Sequence, residues 1–141
     1  MLLACSRLAM AQVRTSPQDR IVDAVVGMEA LLLAGHKKEL RFRFALHYAT
    51  LFEGPDERLK AFKIAKDLYD FRSGIAHGGS LEGESVRVGN EWMSLKDAAE
   101  RASEALRFLV GRFLPDADSA PYKRPEFWEG RVFGLEKAKP E

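Results

Sequence analysis

The chain has a single cysteine, Cys5, among 141 residues, which excludes an intrachain disulfide and any cysteine-based zinc cluster. That usage points to a reducing compartment such as the cytoplasm. Net charge is nearly absent. The 22 Lys and Arg offset the 21 Asp and Glu to leave +1, so no global basic excess marks a nucleic-acid binder, and a phosphate ligand needs a local basic site. Long apolar runs are missing too. The opening stretch carries Arg7, so its apolar portion is too short for a signal sequence. No later stretch nears the ~18 uninterrupted apolar residues of a membrane span. The three histidines, His36, His47 and His77, show no metal-ligand spacing, and Gly78-Gly79 lacks the Lys-Ser/Thr ending of a phosphate loop. Neither a metal nor a cofactor is expected.

What is present is an ordinary globular mixture, 46% hydrophobic and 30% charged, enough for one ordered domain. The first two thirds read as helix. Leu2, Leu3, Cys5, Leu8, Ala9 and Val13 give a short amphipathic segment. Ser16-Pro17 then starts a second helix to about Ala34: Ser16 is a good N-cap, Pro17 suits the first position, and Ile21, Val22, Val25, Val26, Met28, Leu32 and Leu33 form its stripe. A third helix spans about Lys38 to Phe52 and a fourth about Asp56 to Phe71, with Gly54-Pro55 between them. Glycines at 74, 78, 79, 83 and 89 argue against regular helix there, although Ser85-Val86-Arg87-Val88 permits a small strand. Ser94 caps a fifth helix with Leu95, Ala98, Ala102, Ala105, Leu106, Leu109 and Phe113 on its apolar face, and Pro115 ends it.

The expected fold is therefore all-α: a bundle of about five helices over residues 1–114, with a glycine-rich loop insertion. Residues 115–141 are expected to be an extended C-terminal arm. Their prolines oppose a long helix, while Tyr122, Phe127, Trp128 and Phe133 argue that the arm lies against a surface. Packing is also the expectation for Trp92.

The residues suited to chemistry gather after the fourth helix. Arg72 extends that helix's apolar stripe, three and four residues beyond Tyr69 and Leu68, so its guanidinium must be paired or must face a cleft. His77 falls between a turn and two glycines, where backbone approaches a ligand closely. An arginine fork and a histidine that titrates near neutrality together suit one phosphate. A purely structural alternative pairs Arg72 with Asp70 or Glu29 and leaves His77 to cap the helix. Glu29 lies beside the apolar face of the second helix and needs a cation, Arg41, Arg43 or Arg72. A Glu29–Arg41 ion pair locking helices two and three is the expectation.

Three blocks stand in order along the chain. Asp23 precedes the apolar-Glu-Ala-Leu-Leu core Met28-Glu29-Ala30-Leu31-Leu32. Glu39-Leu40-Arg41-Phe42-Arg43-Phe44-Ala45 forms an arginine-containing third helix. Tyr69-Asp70-Phe71-Arg72-Ser73 leads to His77-Gly78, with four residues between Arg72 and His77. From Asp19 to Gly79 the chain thus resembles the HEPN superfamily, and within it the Apea-like branch. The resemblance implies a helical bundle that forms a homodimer and unites two Arg–His motifs in one cleft. It further implies a metal-independent endoribonuclease of the kind found in toxin–antitoxin and antiviral systems. RNA or a nucleotide would be its ligand and an antitoxin a possible partner. Arg72 and His77 would be catalytic, and Ser73 and Gly78 would contact substrate. Active members commonly carry Asn, Asp or His where this chain has Ser73. The alternatives are a non-catalytic nucleotide- or RNA-binding HEPN module and a structural dimerisation domain of a defence or regulatory system.

Overall fold

The computed structural model describes residues 1–76 and 85–135. These form six α-helices and one hairpin: α1 Leu2–Val13, α2 Pro17–Leu32, α3 Leu40–Ala49, α4 Pro55–Ala76, β1 Val86–Val88, β2 Glu91–Met93, α5 Leu95–Phe113 and α6 Pro125–Val132. The all-α reading holds. Capping follows the sequence: the Ser16 hydroxyl accepts from the Asp19 amide at 3.4 Å, and the Ser94 hydroxyl from the Asp97 amide at 3.0 Å. Gly35 adopts φ +81° just after α2, the left-handed turn that favours glycine.

Helix α2 is the centre of the bundle, packed against α1, α4 and α5. Its Ile21, Ala24, Val25, Met28 and Leu31 are fully buried. The alanine face of α5 (Ala98, Ala102, Ala105) lets that helix approach closely. Gly27 serves the same contact: a Cβ there would stand 2.7 Å from Leu106 Cδ2 and 3.1 Å from Arg7 Cβ. A buried carboxylate ties α1 to α2. Asp23, 3% exposed, accepts from Arg7 Nη1 at 2.7 Å and from Arg14 Nε at 2.9 Å.

Several elements differ from expectation. Helix α1 buries Ala4 and Ala11 and turns Leu2, Leu3 and Val13 outward, because small residues and the Asp23 clamp set its inner face. Helix α4 runs past Gly74 to Ala76; a single glycine costs a helix only about 1 kcal/mol relative to alanine. The C-terminal segment is not an extended arm. Its prolines begin helical turns rather than preventing them: Pro121 opens a 3₁₀ turn, Pro121–Lys123, and Pro125 opens α6. Tyr122 and Trp128 are 1% exposed, and the Phe113 ring touches both, so this segment completes the core. Trp92 reverses its expectation as well. It sits opposite Arg87 on the outer face of the hairpin and is 72% exposed, while Val86 and Val88 point inward. The glycine-rich insertion lies mostly outside the described residues.

Candidate functional site at the end of helix α4

Helix α4 presents Ala61, Ala65 and Leu68 to the core, all buried. Arg72 continues that stripe one turn further, where the core gives way to solvent, so its guanidinium emerges at the edge of the bundle. Across from it stands Glu29 of α2. Arg72 Nε lies 3.3 Å from Glu29 Oε1, with the two side chains 33% and 23% exposed. The contact is an ion pair by distance and not by direction: Glu29 Oε1 is buried and accepts no hydrogen bond among the described residues.

The electrostatics follow from that mismatch. Burial pushes the Glu29 carboxyl above its ordinary pKa, and the opposing pull of Arg72 does not restore it. Tyr69, one turn before Ser73 on α4, is also pushed up, first by burial and then by the negative charges of Glu29 and Asp70. The result is a cation whose partner is reluctant to carry full charge.

Arg41 is not the partner of Glu29. Its guanidinium forks the Asp70 carboxylate, Nε to Oδ1 at 2.6 Å and Nη2 to Oδ2 at 2.7 Å, with both side chains about half exposed. Asp70 offers both oxygens at the surface, which suits a planar fork better than the buried edge of Glu29 does. Arg43 stands 3.7 Å from Glu39, the N-cap of its own helix. The locking of elements is therefore α2 to α4 through Glu29 and Arg72, and α3 to α4 through Arg41 and Asp70.

Ser73 is half-buried beside Arg72. His77 and Gly78 lie outside the described residues; His77 is the next residue in sequence after the end of α4. Among the described residues no three His, Cys, Asp or Glu side chains are grouped to hold a metal ion, and no helix is long and apolar enough to cross a membrane.

The other two histidines lie within the described residues. His36 and His47 pack together with ring centroids 5.2 Å apart, and His47 is 3% exposed beneath Trp128. The helical spacing of His47 with Phe44, Tyr48 and Leu51 fits a core or interface position, and the structure places it in the core. The Asp23 clamp has no signal in the sequence, because its two arginines stand 9 and 16 residues before it and nothing in their spacing marks them as partners. No family model, curated protein or solved structure matches this chain.

Proposed function

We infer that this chain is a HEPN-type protein that cleaves RNA as a homodimer, with Arg72 and His77 of both copies at one composite site. The observation that carries the reading is the state of Arg72. It is fixed at the end of a core-facing stripe, a third exposed, and paired with a carboxyl whose charge is disfavoured by burial. Such an arginine is positioned without being fully neutralised, so a phosphate oxygen competes well for its fork.

The chemistry needs little more than that fork and a proton carrier. The RNA 2′-hydroxyl attacks the adjacent phosphorus. His77 of one copy takes the hydroxyl proton as the P–O2′ bond forms. Arg72 stabilises the charge that gathers on the non-bridging oxygens. The P–O5′ bond breaks, and an imidazolium, His77 of the second copy, returns a proton to the leaving 5′-oxygen. A 2′,3′-cyclic phosphate and a 5′-hydroxyl result. Ser73 hydrogen-bonds substrate, and Gly78 lets the backbone come close. An antitoxin-type protein would act by covering this edge, and the single cysteine fits a cytoplasmic setting.

Ser73 also favours a second reading, RNA or nucleotide binding without cleavage, because a serine hydroxyl is no base at neutral pH. Incubation with end-labelled single-stranded RNA in excess EDTA separates the two. Cleavage to cyclic-phosphate ends supports the nuclease, and retention of intact RNA the binder. Light scattering at twice the 15.8 kDa chain mass tests the dimer.

A further inference from the structure

Helix α1 is held to the bundle by its small side chains and turns its large ones to solvent. Ala4 and Ala11 are buried where α1 packs on α2 and α5. On the opposite side Leu2 is 88% exposed and Val13 74%, with Ser6 and Ala9 exposed between them. At about 100° per residue these four lie within about 60° of one another. Leu3 and Met10, also exposed, flank them. Four of the eleven large hydrophobic side chains exposed among the described residues thus fall on this one helix of 12 residues. That density marks a contact surface, where scattered apolar groups would not.

The face is also without charge. Arg7 is the only charged residue of α1, and Arg14 follows at its C-cap; both guanidiniums are tied to Asp23. An RNA would need free cations here, and a helix lying on a lipid surface draws on basic residues along its polar face. A second copy of the same uncharged face needs neither. The spacing says how two copies meet. Positions 2, 6, 9 and 13 are separated by four, three and four residues, a pattern that reads the same in both directions. Around a two-fold axis crossing α1 between residues 7 and 8, Leu2 meets Val13 of the second copy and Ser6 meets its Ala9. Small residues at the middle let the two helices approach closely, and large ones close the ends.

We propose that α1 is a self-association face, on which a second copy of this chain docks its own α1 antiparallel through Leu2, Ser6, Ala9 and Val13. This is not the face that would unite two Arg72 edges. Asp23 and Gly27 of α2 meet α1, whereas Glu29, which meets Arg72, lies about 200° further round α2 from Gly27. The two faces stand on opposite sides of α2, so the inference does not depend on what Arg72 does. A helix of 12 residues is about 18 Å long, so the pair buries less than the roughly 800 Å² per partner of a standard interface, and the association should be weak.

Sedimentation equilibrium of the full chain from about 10 μM to about 1 mM should show the mass rising with a Kd of about 0.1 mM. Ala9→Glu and Val13→Glu each put a carboxylate on the face and should weaken this step about tenfold or more, while Gln12→Glu, exposed on the same helix but off the seam, should leave it unchanged. All three positions are exposed, so circular dichroism should show the wild-type helix content in each variant. Where the Arg72 edge also pairs, the wild type should pass from two copies to four and Ala9→Glu should stop at two. Disulfide trapping in a Cys5→Ala background reads the orientation. Leu2→Cys and Val13→Cys chains should cross-link to each other on mixing and neither to itself, because like positions stand about 16 Å apart in the antiparallel pair and a disulfide spans at most about 7 Å between Cα atoms. The proposal is overturned if Ala9→Glu associates as the wild type does, if either cysteine variant cross-links to itself as readily as to the other, or if the chain stays monomeric at about 1 mM. Binding of a monomeric chain to phosphatidylserine vesicles, lost in Ala9→Glu, would also overturn it and give the face to a lipid surface.

Discussion

His47 lies flat on Trp128, with ring centroids 4.4 Å apart and planes within 3°, while its Nδ1 meets the Leu32 carbonyl at 2.7 Å. Three elements converge on one imidazole: the end of α2, the body of α3 and the start of α6. A carbonyl that close requires a proton on Nδ1, which in the neutral ring fixes the Nδ1–H tautomer. Burial pulls the His47 pKa down to about 4, aided by the nearby His36 and Arg43 and opposed by the Leu32 carbonyl.

A pH dependence follows, with a definite sign. In the unfolded chain His47 takes a proton near pH 6.5; in the folded chain it resists until about 4. Stability contributed by the neutral ring is therefore complete above about 6.5 and drains as pH falls toward 4, by about 3 kcal/mol in all. Urea denaturation of wild type and His47→Asn between about pH 7 and pH 4.5 checks this. The wild type should lose more stability over that range than the variant; parallel profiles would sink the assignment.

Asp23 gives a second prediction. Its carboxylate is almost wholly buried and satisfies two arginines seven residues apart, Arg7 on α1 and Arg14 at that helix's C-cap. Asp23→Ala removes both hydrogen bonds and should cost about 3 kcal/mol. Amide exchange should accelerate first in α1, which would lose its tie to α2. Unchanged exchange in residues 2–13 would mean that apolar packing alone holds that helix.

Gly27 should resist the usual helix improvement. Glycine to alanine in a helix interior normally stabilises by about 1 kcal/mol. Here the new methyl meets Leu106 Cδ2 at 2.7 Å and the Arg7 Cβ at 3.1 Å, where α1, α2 and α5 converge. Overpacking of that kind costs about 1–3 kcal/mol, so Gly27→Ala should lower the melting temperature, and a rise would show that α1 shifts freely.

The bundle was legible because its helices announce themselves: Ser16-Pro17, Gly35, Gly54-Pro55 and Ser94 mark ends, and the stripes of α2 and α5 mark faces. What was not legible depends on partners distant in sequence. Pro121 and Pro125 look like breakers until Phe113 and His47 supply the surface on which short helices settle. The choice of Glu29 between Arg41 and Arg72 is decided by Asp70, which captures Arg41 with both oxygens from the outer side of α4. Helical periodicity alone ranks none of those pairings.

Glu29 now carries a prediction opposite to the one its burial suggests. A buried carboxylate with a well-bonded partner should be costly to remove. This one is raised in pKa, chiefly by desolvation, and its Oε1 accepts no hydrogen bond among the described residues. A raised acid pKa means that the charged form opposes folding at neutral pH and that the penalty fades as pH falls through the folded value. Glu29→Gln should therefore melt at the same temperature as wild type or higher at pH 7, with any gain shrinking in acid. A loss beyond about 1 kcal/mol at neutral pH would show that the Arg72 pair outweighs the burial.

The same substitution has a second consequence, at the site itself. With Glu29 neutral, Arg72 keeps its charge and loses its anchor, so RNA should still bind while cleavage slows. Arg72→Ala should remove most of the rate, and Arg72→Lys should recover little of it, since an ammonium cannot span two phosphate oxygens. His77→Ala should be equally damaging, because the proton carrier is gone while the α2–α4 pairing through Arg72 is untouched. Mixing wild-type chains with His77→Ala chains at fixed total concentration discriminates further. If the histidines of both copies act at one site, hybrid dimers lack either the base or the acid, and activity should fall with the square of the wild-type fraction. Activity that falls in simple proportion to that fraction, with subunit exchange verified, would place a complete site within each copy. Full activity in His77→Ala would exclude the proposed chemistry altogether.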